Sequence, residues 1–219
     1  MDNRKLLKKQ IREFIKQFAY NNNFMLYQRT FAVREVENLL HIVCFDFPPA
    51  SMQCHVAIQP LYVPEANLHF TFGNRLNYLG VRKSGLWGRE ESKIHEDIEE
   101  ISNLLESNAL PWFNEVSSPE KLIGYIIGDS ISGSIIQCPP FLRTLYLGFS
   151  YLYIKKYDLA NEALNKALNM TSDYIGKYKD KNVSLIVPLL NKIENNEFNS
   201  IDNDLRNFIE FTKENCKLI

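Results

Sequence analysis

The sequence predicts an α+β fold, in which an N-terminal helix and a four-stranded antiparallel meander precede an all-helical C-terminal half. Three observations carry the prediction. Residues 3–20 repeat apolar side chains at helical spacing, residues 24–78 change to short alternating runs with turn-forming breakers between them, and from Glu91 the helical period returns and persists.

The bulk properties set outer limits. In 219 residues, 45% apolar and 23% charged side chains are ordinary for a soluble globular protein. With 25 basic and 26 acidic residues the net charge is −1, so no global field favours nucleic acid or an anionic membrane. Cys44, Cys54, Cys138 and Cys216 lie far apart with no C-x-x-C pair, which argues against a zinc ribbon, a redox dithiol or a disulfide scaffold. The opening MDNRKLLKKQ lacks an apolar signal core, and no run reaches the ~18 apolar residues of a membrane span. The expectation is a reduced, cytoplasmic protein.

In the first helix Leu7, Ile11, Phe14 and Phe18, with Leu6 and Ile15, form one apolar face, and Arg4, Lys5, Lys8, Lys9, Arg12 and Lys16 occupy the rest. Asn21, Asn22 and Asn23 end it, because Asn tolerates the left-handed conformation of a helix stop. Strands are expected over 25–34, 38–47, 52–62 and 68–73, broken at 35–37, 48–51 and 63–67. Cys54, Val56 and Ile58 share one parity with Leu68, Phe70 and Phe72, against His55, Gln59, His69 and Thr71. One sheet face should therefore be core and the other at least partly wet. The second strand is apolar on both parities, which places it centrally.

Residues 74–90 read as a loop, with Arg75, Arg82, Lys83 and Arg89 around Trp87. A helix over 91–107 carries an Ile94, Ile98, Ile101 and Leu105 stripe, presents Asp97 and Glu100 outward, and should stop at Pro111. Ser118 and Pro119 open the next helix as N-cap and first turn. A hairpin over 141–172 follows, then helices over 183–194 (containing Pro188) and 200–214 (capped by Ser200). The expected domains are 1–116, α+β, and 117–219, helical. No Gly-, Ser- or Pro-rich linker separates them, so they are expected to pack together.

Chemistry-bearing patterns are sparse. His41, His55 and His69 fall one to a strand, but zinc ligands must converge within ~2.1 Å of one ion, and the expected register spreads these histidines along the sheet. No metal is expected. Ile127-Gly128-Asp129-Ser130-Ile131-Ser132-Gly133 resembles the nucleophile block of the GDSL-type (SGNH) esterases. That family supplies the base from a downstream Asp-x-x-His, whereas every histidine here precedes Ser130, and Gly128–Ser134 reads as a loop. Gly80-Val81-Arg82-Lys83-Ser84-Gly85 has the look of a phosphate loop, but Leu86 and Trp87 stand where a Walker motif needs Lys and Ser/Thr. Asp46, inside an apolar strand, is expected to bond a turn amide. No catalytic residue and no cofactor is assigned.

Residues 141–172 resemble one tetratricopeptide repeat, through Leu147-Gly148, Tyr151, Tyr157, Ala160, Leu164 and Ala167. The first half, with Arg29-Thr30-Phe31 opening a meander and a helix leading into Leu110-Pro111-Trp112-Phe113, is similar to uncharacterised bacterial α+β families. Some members are encoded beside toxins as immunity partners. These resemblances imply a bacterial cytosolic interaction or accessory protein, non-enzymatic and of immunity type, with a protein partner. The hairpin's first helix is apolar nearly all round, so either the strand half covers it or a second copy does, in a homodimer. A second reading is a small-ligand protein or enzyme with a site on the wet sheet face. Its contact residues would be His55, Gln59, His69, Arg75, Arg82, Lys83, Trp87 and Arg89. A third is a weak nucleic-acid binder using the same loop and the basic first helix.

Overall fold

Helix α1, Asn3–Asn21, forms where the apolar period is unbroken. Its stripe sinks into a core: Leu7, Ile11, Ile15, Phe18 and Ala19 are all buried. Asn23 then takes a positive φ of 57° and turns the chain into the sheet. The computed structural model describes residues 3–49, 51–79, 87–128, 138–171 and 177–219.

The fold class is α+β as predicted, with five strands rather than four. These are β1, Met25–Gln28; β2, Phe31–Val36; β3, Leu39–Asp46; β4, Gln53–Pro60; and β5, Phe72–Arg75. They follow one another in the antiparallel sheet in chain order. The strand expected over 25–34 is a tight hairpin that turns at Arg29 and Thr30, so Leu26 pairs with Ala32 and Gln28 with Phe31. Alternation alone cannot reveal a two-residue turn that carries no Gly or Asn. A second turn at Glu37 and Asn38, with φ of 48° and 60°, does have the left-handed backbone that favours a primed hairpin. As expected, β3 is central, and every residue of it but Asp46 is buried. The fourth predicted strand shifts: β5 begins at Phe72, and residues 68–71 precede it outside any strand.

Helices cover one sheet face. Phe14 of α1 meets Phe45 edge-on at 6.0 Å, and Phe113 stacks on His41 at 4.7 Å. Phe113 belongs to a long helical passage in which α2, Ile94–Leu104, runs through a π-turn at Leu105–Ala109 into α3, Leu110–Glu115. The helix was expected to stop at Pro111. Instead the wider π-turn admits the proline, whose missing N–H would break a regular ladder. Asp97 and Glu100 do not simply face water. Asp97 accepts the N–H of Gly88 (2.6 Å) and Glu100 the indole N–H of Trp87 (3.0 Å), tying the incoming loop to α2.

By its internal contacts the chain divides into two units. One comprises Met1–Gln59 and Phe70–Ser117; the other comprises Pro60–His69, Ser118–Ser130 and Cys138–Ile219. The cut between Ser117 and Ser118 parts the strand-bearing residues from the main run of helices. Nothing in the residue pattern of Pro60–His69, between two strands, announces that it groups with the helices.

The second unit holds α4, Pro119–Gly128; α5, Pro140–Tyr153; α6, Tyr157–Met170; α7, Lys177–Glu194; and α8, Phe198–Asn215. Ser118 caps α4 through the N–H of Lys121. Gly128 ends that helix rather than opening a loop, and the rest of the GDSISGS stretch lies outside the described residues. Helix α7 starts earlier than expected and carries Pro188 inside it. Helix α8 starts after Glu197, so Ser200 sits within its first turn and is not the cap. Residues 141–154 include no exposed position, because α4, α6, α8 and Pro60–His69 surround α5.

Gly148 sets the closeness of α5 and α6, since a Cβ there would lie 2.7 Å from Leu164 Cδ2. Gly148→Ala should therefore lower stability by about 1–3 kcal/mol in urea denaturation, although Ala is the better helix former. The control is Gly124→Ala in α4, where no atom lies within 4 Å of the added Cβ, and there the same change should stabilise by up to about 1 kcal/mol.

Candidate functional site

Antiparallel pairing of β4 with β5 sets His55 opposite Arg75 and Ala57 opposite Gly73, all four on the face away from α1 and α3. Residues directly opposite in a sheet share a face, so pairing places an imidazole beside a guanidinium. Gly73 can only be glycine at this spacing, since a Cβ would lie 2.6 Å from the Ala57 Cβ. With Phe70, Asn74 and Tyr78 these residues line a recess of about 330 Å³.

The recess combines polar side chains with two exposed aromatic rings. Phe70 is 43% and Tyr78 51% exposed, which is costly for rings of that size in water. The Phe70 ring lies 5.7 Å from the His55 ring and 6.4 Å from that of Phe31, which in turn lies 6.3 Å from Tyr27. An aromatic row thus crosses this sheet face. Asn74 Oδ1 accepts the N–H of Arg75 at 2.8 Å, fixing the bend at the end of β5. Burial, helped by the positive charge of Arg75, lowers the His55 pKa, and the negative charge of Asp46 only partly opposes them. His55 is therefore a neutral imidazole at neutral pH. Asp46 itself accepts the N–H of Phe47 at 2.8 Å, the turn bond expected of it.

Of the residues anticipated from the sequence, His55 and Arg75 are brought together here. Gln59 is fully buried, because β4 is covered on both faces beyond His55. Trp87 is buried too, paired through its backbone with Met52 and through its indole with Glu100. Arg89 is exposed, while Arg82 and Lys83 lie outside the described residues. Phe70 was assigned to the core by parity, yet its ring is exposed. The parity rule fails because residues 68–71 precede the strand. Asn74 carries no signal in the alternation, whereas a glycine inside a strand pattern, as at Gly73, signals close backbone approach.

His69 belongs to the other unit. Its Nε2 lies 3.4 Å from Glu65, whose carboxylate also accepts the Tyr146 hydroxyl (3.0 Å) and faces Lys181 Nζ (3.4 Å). Thr212 receives the Glu65 N–H and donates to the Val63 carbonyl, and Tyr62 bonds Ser150 at 2.8 Å. Burial works against the Glu65 charge, but His69, Lys181 and Tyr146 outweigh it and hold its pKa below the usual value. The bond to Glu65 raises that of His69. This cluster ties Pro60–His69 to α5, α7 and α8.

The four cysteines are free and buried, and burial raises each thiol's pKa, to about 12 at Cys44 and about 11 at Cys138. Such thiols are poor nucleophiles. Among the described residues no group of three or more His, Cys, Asp or Glu is placed to hold a metal, and no helix is long and apolar enough to cross a membrane. No protein-family model, curated protein or solved structure matches the chain.

His41 has a structural task. Fully buried, it meets Arg34 Nη2 (3.2 Å) at Nδ1 and the Val116 carbonyl (3.3 Å) at Nε2. Burial first, then the Arg34 charge, lowers its pKa to about 4, against the backbone bond to Val116. An unfolded histidine titrates near 6.5, so between those values the unfolded chain holds more protons. Stability from this group is complete above about pH 6.5 and is lost as pH falls toward 4, by about 3 kcal/mol. Denaturant titrations across that range should show the slope, and His41→Gln should flatten it.

Proposed function

We propose that the chain is a cytosolic interaction or accessory protein, a binder rather than a catalyst, with the His55–Arg75 recess as its contact surface. The carrying observation is the composition of that recess: an arginine and two exposed aromatic rings, Phe70 and Tyr78, line the same hollow, and arginine and aromatic residues are the side chains enriched at interface cores. No ion pair among the described residues engages the Arg75 guanidinium. The likeness of the strand half to immunity-type families supports a protein partner. The α5–α6 pair, read as a single tetratricopeptide-like hairpin, then serves as an internal spine, since it leaves no open groove along 141–154.

A second reading has its own support. The surface is concave, and its volume of about 330 Å³ lies at the small end of the range for ligand pockets. A small molecule fits such a space without any protein partner.

Affinity capture from the native host separates the two. A stoichiometric protein partner held by the wild type, and lost at least about tenfold with Arg75→Glu, is the expected result. Capture unchanged by Arg75→Glu, or recovery of a small molecule alone, would overturn the protein-partner reading.

A further inference from the structure

We propose that the recess takes a small ligand in which a flat ring carries an oxyanion, either a carboxylate or a phosphate. The inference rests on the recess being the contact surface, but not on the contact being a protein. Arg75 supplies the charge: its planar guanidinium presents a fork of donors that matches two oxygens of one oxyanion. His55, directly opposite in the ladder, offers an imidazole N–H from the adjoining wall. The nearby carboxylate, Asp46, has one oxygen committed to the Phe47 amide. The Asp46 charge counts against an anion, so the preference for an oxyanion comes from the forked donors of the guanidinium and not from a net positive field.

The ring requirement comes from the two exposed aromatic rings. Phe70 and Tyr78 hold half-exposed aromatic faces next to the charge, and a bare inorganic ion would leave both in water. A ring in van der Waals contact with them removes that surface from water and stacks in offset or edge-on geometry. Gly73 completes the fit, because no side chain rises between His55 and Arg75 on the one hand and Ala57 on the other. The volume of about 330 Å³ suits a ligand of one or two rings rather than an extended chain.

The test is a titration of the isotope-labelled full chain, followed by amide chemical shifts, with phenyl phosphate, benzoate, inorganic phosphate and benzyl alcohol. At least one ring-bearing anion should saturate shifts at His55, Gly73, Asn74 and Arg75, at least about tenfold tighter than inorganic phosphate or benzyl alcohol. The tighter of phenyl phosphate and benzoate identifies the oxyanion. Arg75→Gln, with an unchanged urea midpoint, should weaken binding about tenfold or more, and Phe70→Ala should reduce the advantage over inorganic phosphate. Equal affinity for inorganic phosphate would overturn the ring requirement while leaving the recess as the contact surface. Saturation mapped away from the recess, insensitivity to Arg75→Gln, or no saturation by either ring-bearing anion would overturn the proposal itself.

Discussion

Strand β3 leaves water no face to reach, since residues 39–45 are all buried, and the architecture of the first unit follows from covering it. A strand buried on both sides needs a paired neighbour at each edge and packing above and below. β2 and β4 supply the first requirement, and the rings of Phe14 and Phe113 supply cover on one face. The same burial sets a condition on His41, the polar side chain within the run. It is tolerated because Arg34 and the Val116 carbonyl satisfy both ring nitrogens, and a neutral imidazole can then stack on Phe113 like any aromatic ring.

The second unit obeys a similar constraint through a helix. α5 is apolar on nearly every side, and such a helix must be central. Gly148 lets α6 approach on one side, and the Pro60–His69 segment closes another through Tyr62, stacked on Tyr153 at 4.7 Å and bonded to Ser150. Because the Ser150 hydroxyl donates in turn to the Tyr146 carbonyl, the buried hydroxyls form a satisfied chain rather than isolated costs. A lone helical hairpin cannot bury both its faces. Here a segment from between two strands, locked by Glu65 to Tyr146 and Lys181, covers part of what the hairpin leaves open.

The recess arises where such coverage stops. Along β4 only Gln53 and His55 are partly open, and Phe70 reaches over from the non-strand stretch before β5 to stand beside His55. Half of this was legible in the sequence. His55 and Arg75 were recognisable as polar groups on a sheet face and an adjoining loop. Gln59 and His69 shared the parity of His55 but not its surroundings, because parity assigns a face and not what lies upon it. Phe70 erred in the opposite direction: an apolar residue in the right phase, but ahead of the strand that would have carried it inward.

Sequence by itself determined the local terms, which act within a few residues. These were the apolar stripe of α1, the double-sided burial of β3, the Ser118 cap and the α+β class. Tertiary structure alone decided three further things. Pro111 passes through a helix because a π-turn gives it room, and no neighbouring residue announces that widening. Pro60–His69 leaves the strands for the helices because Ser150, Tyr146, Lys181 and Thr212 satisfy its polar groups there, from positions far along the chain. His55 meets Arg75 because of a register between strands, which depends on where β5 starts and hence on packing across the sheet. Periodicity names the face of each element; only the assembled sheet decides which side chains on that face converge.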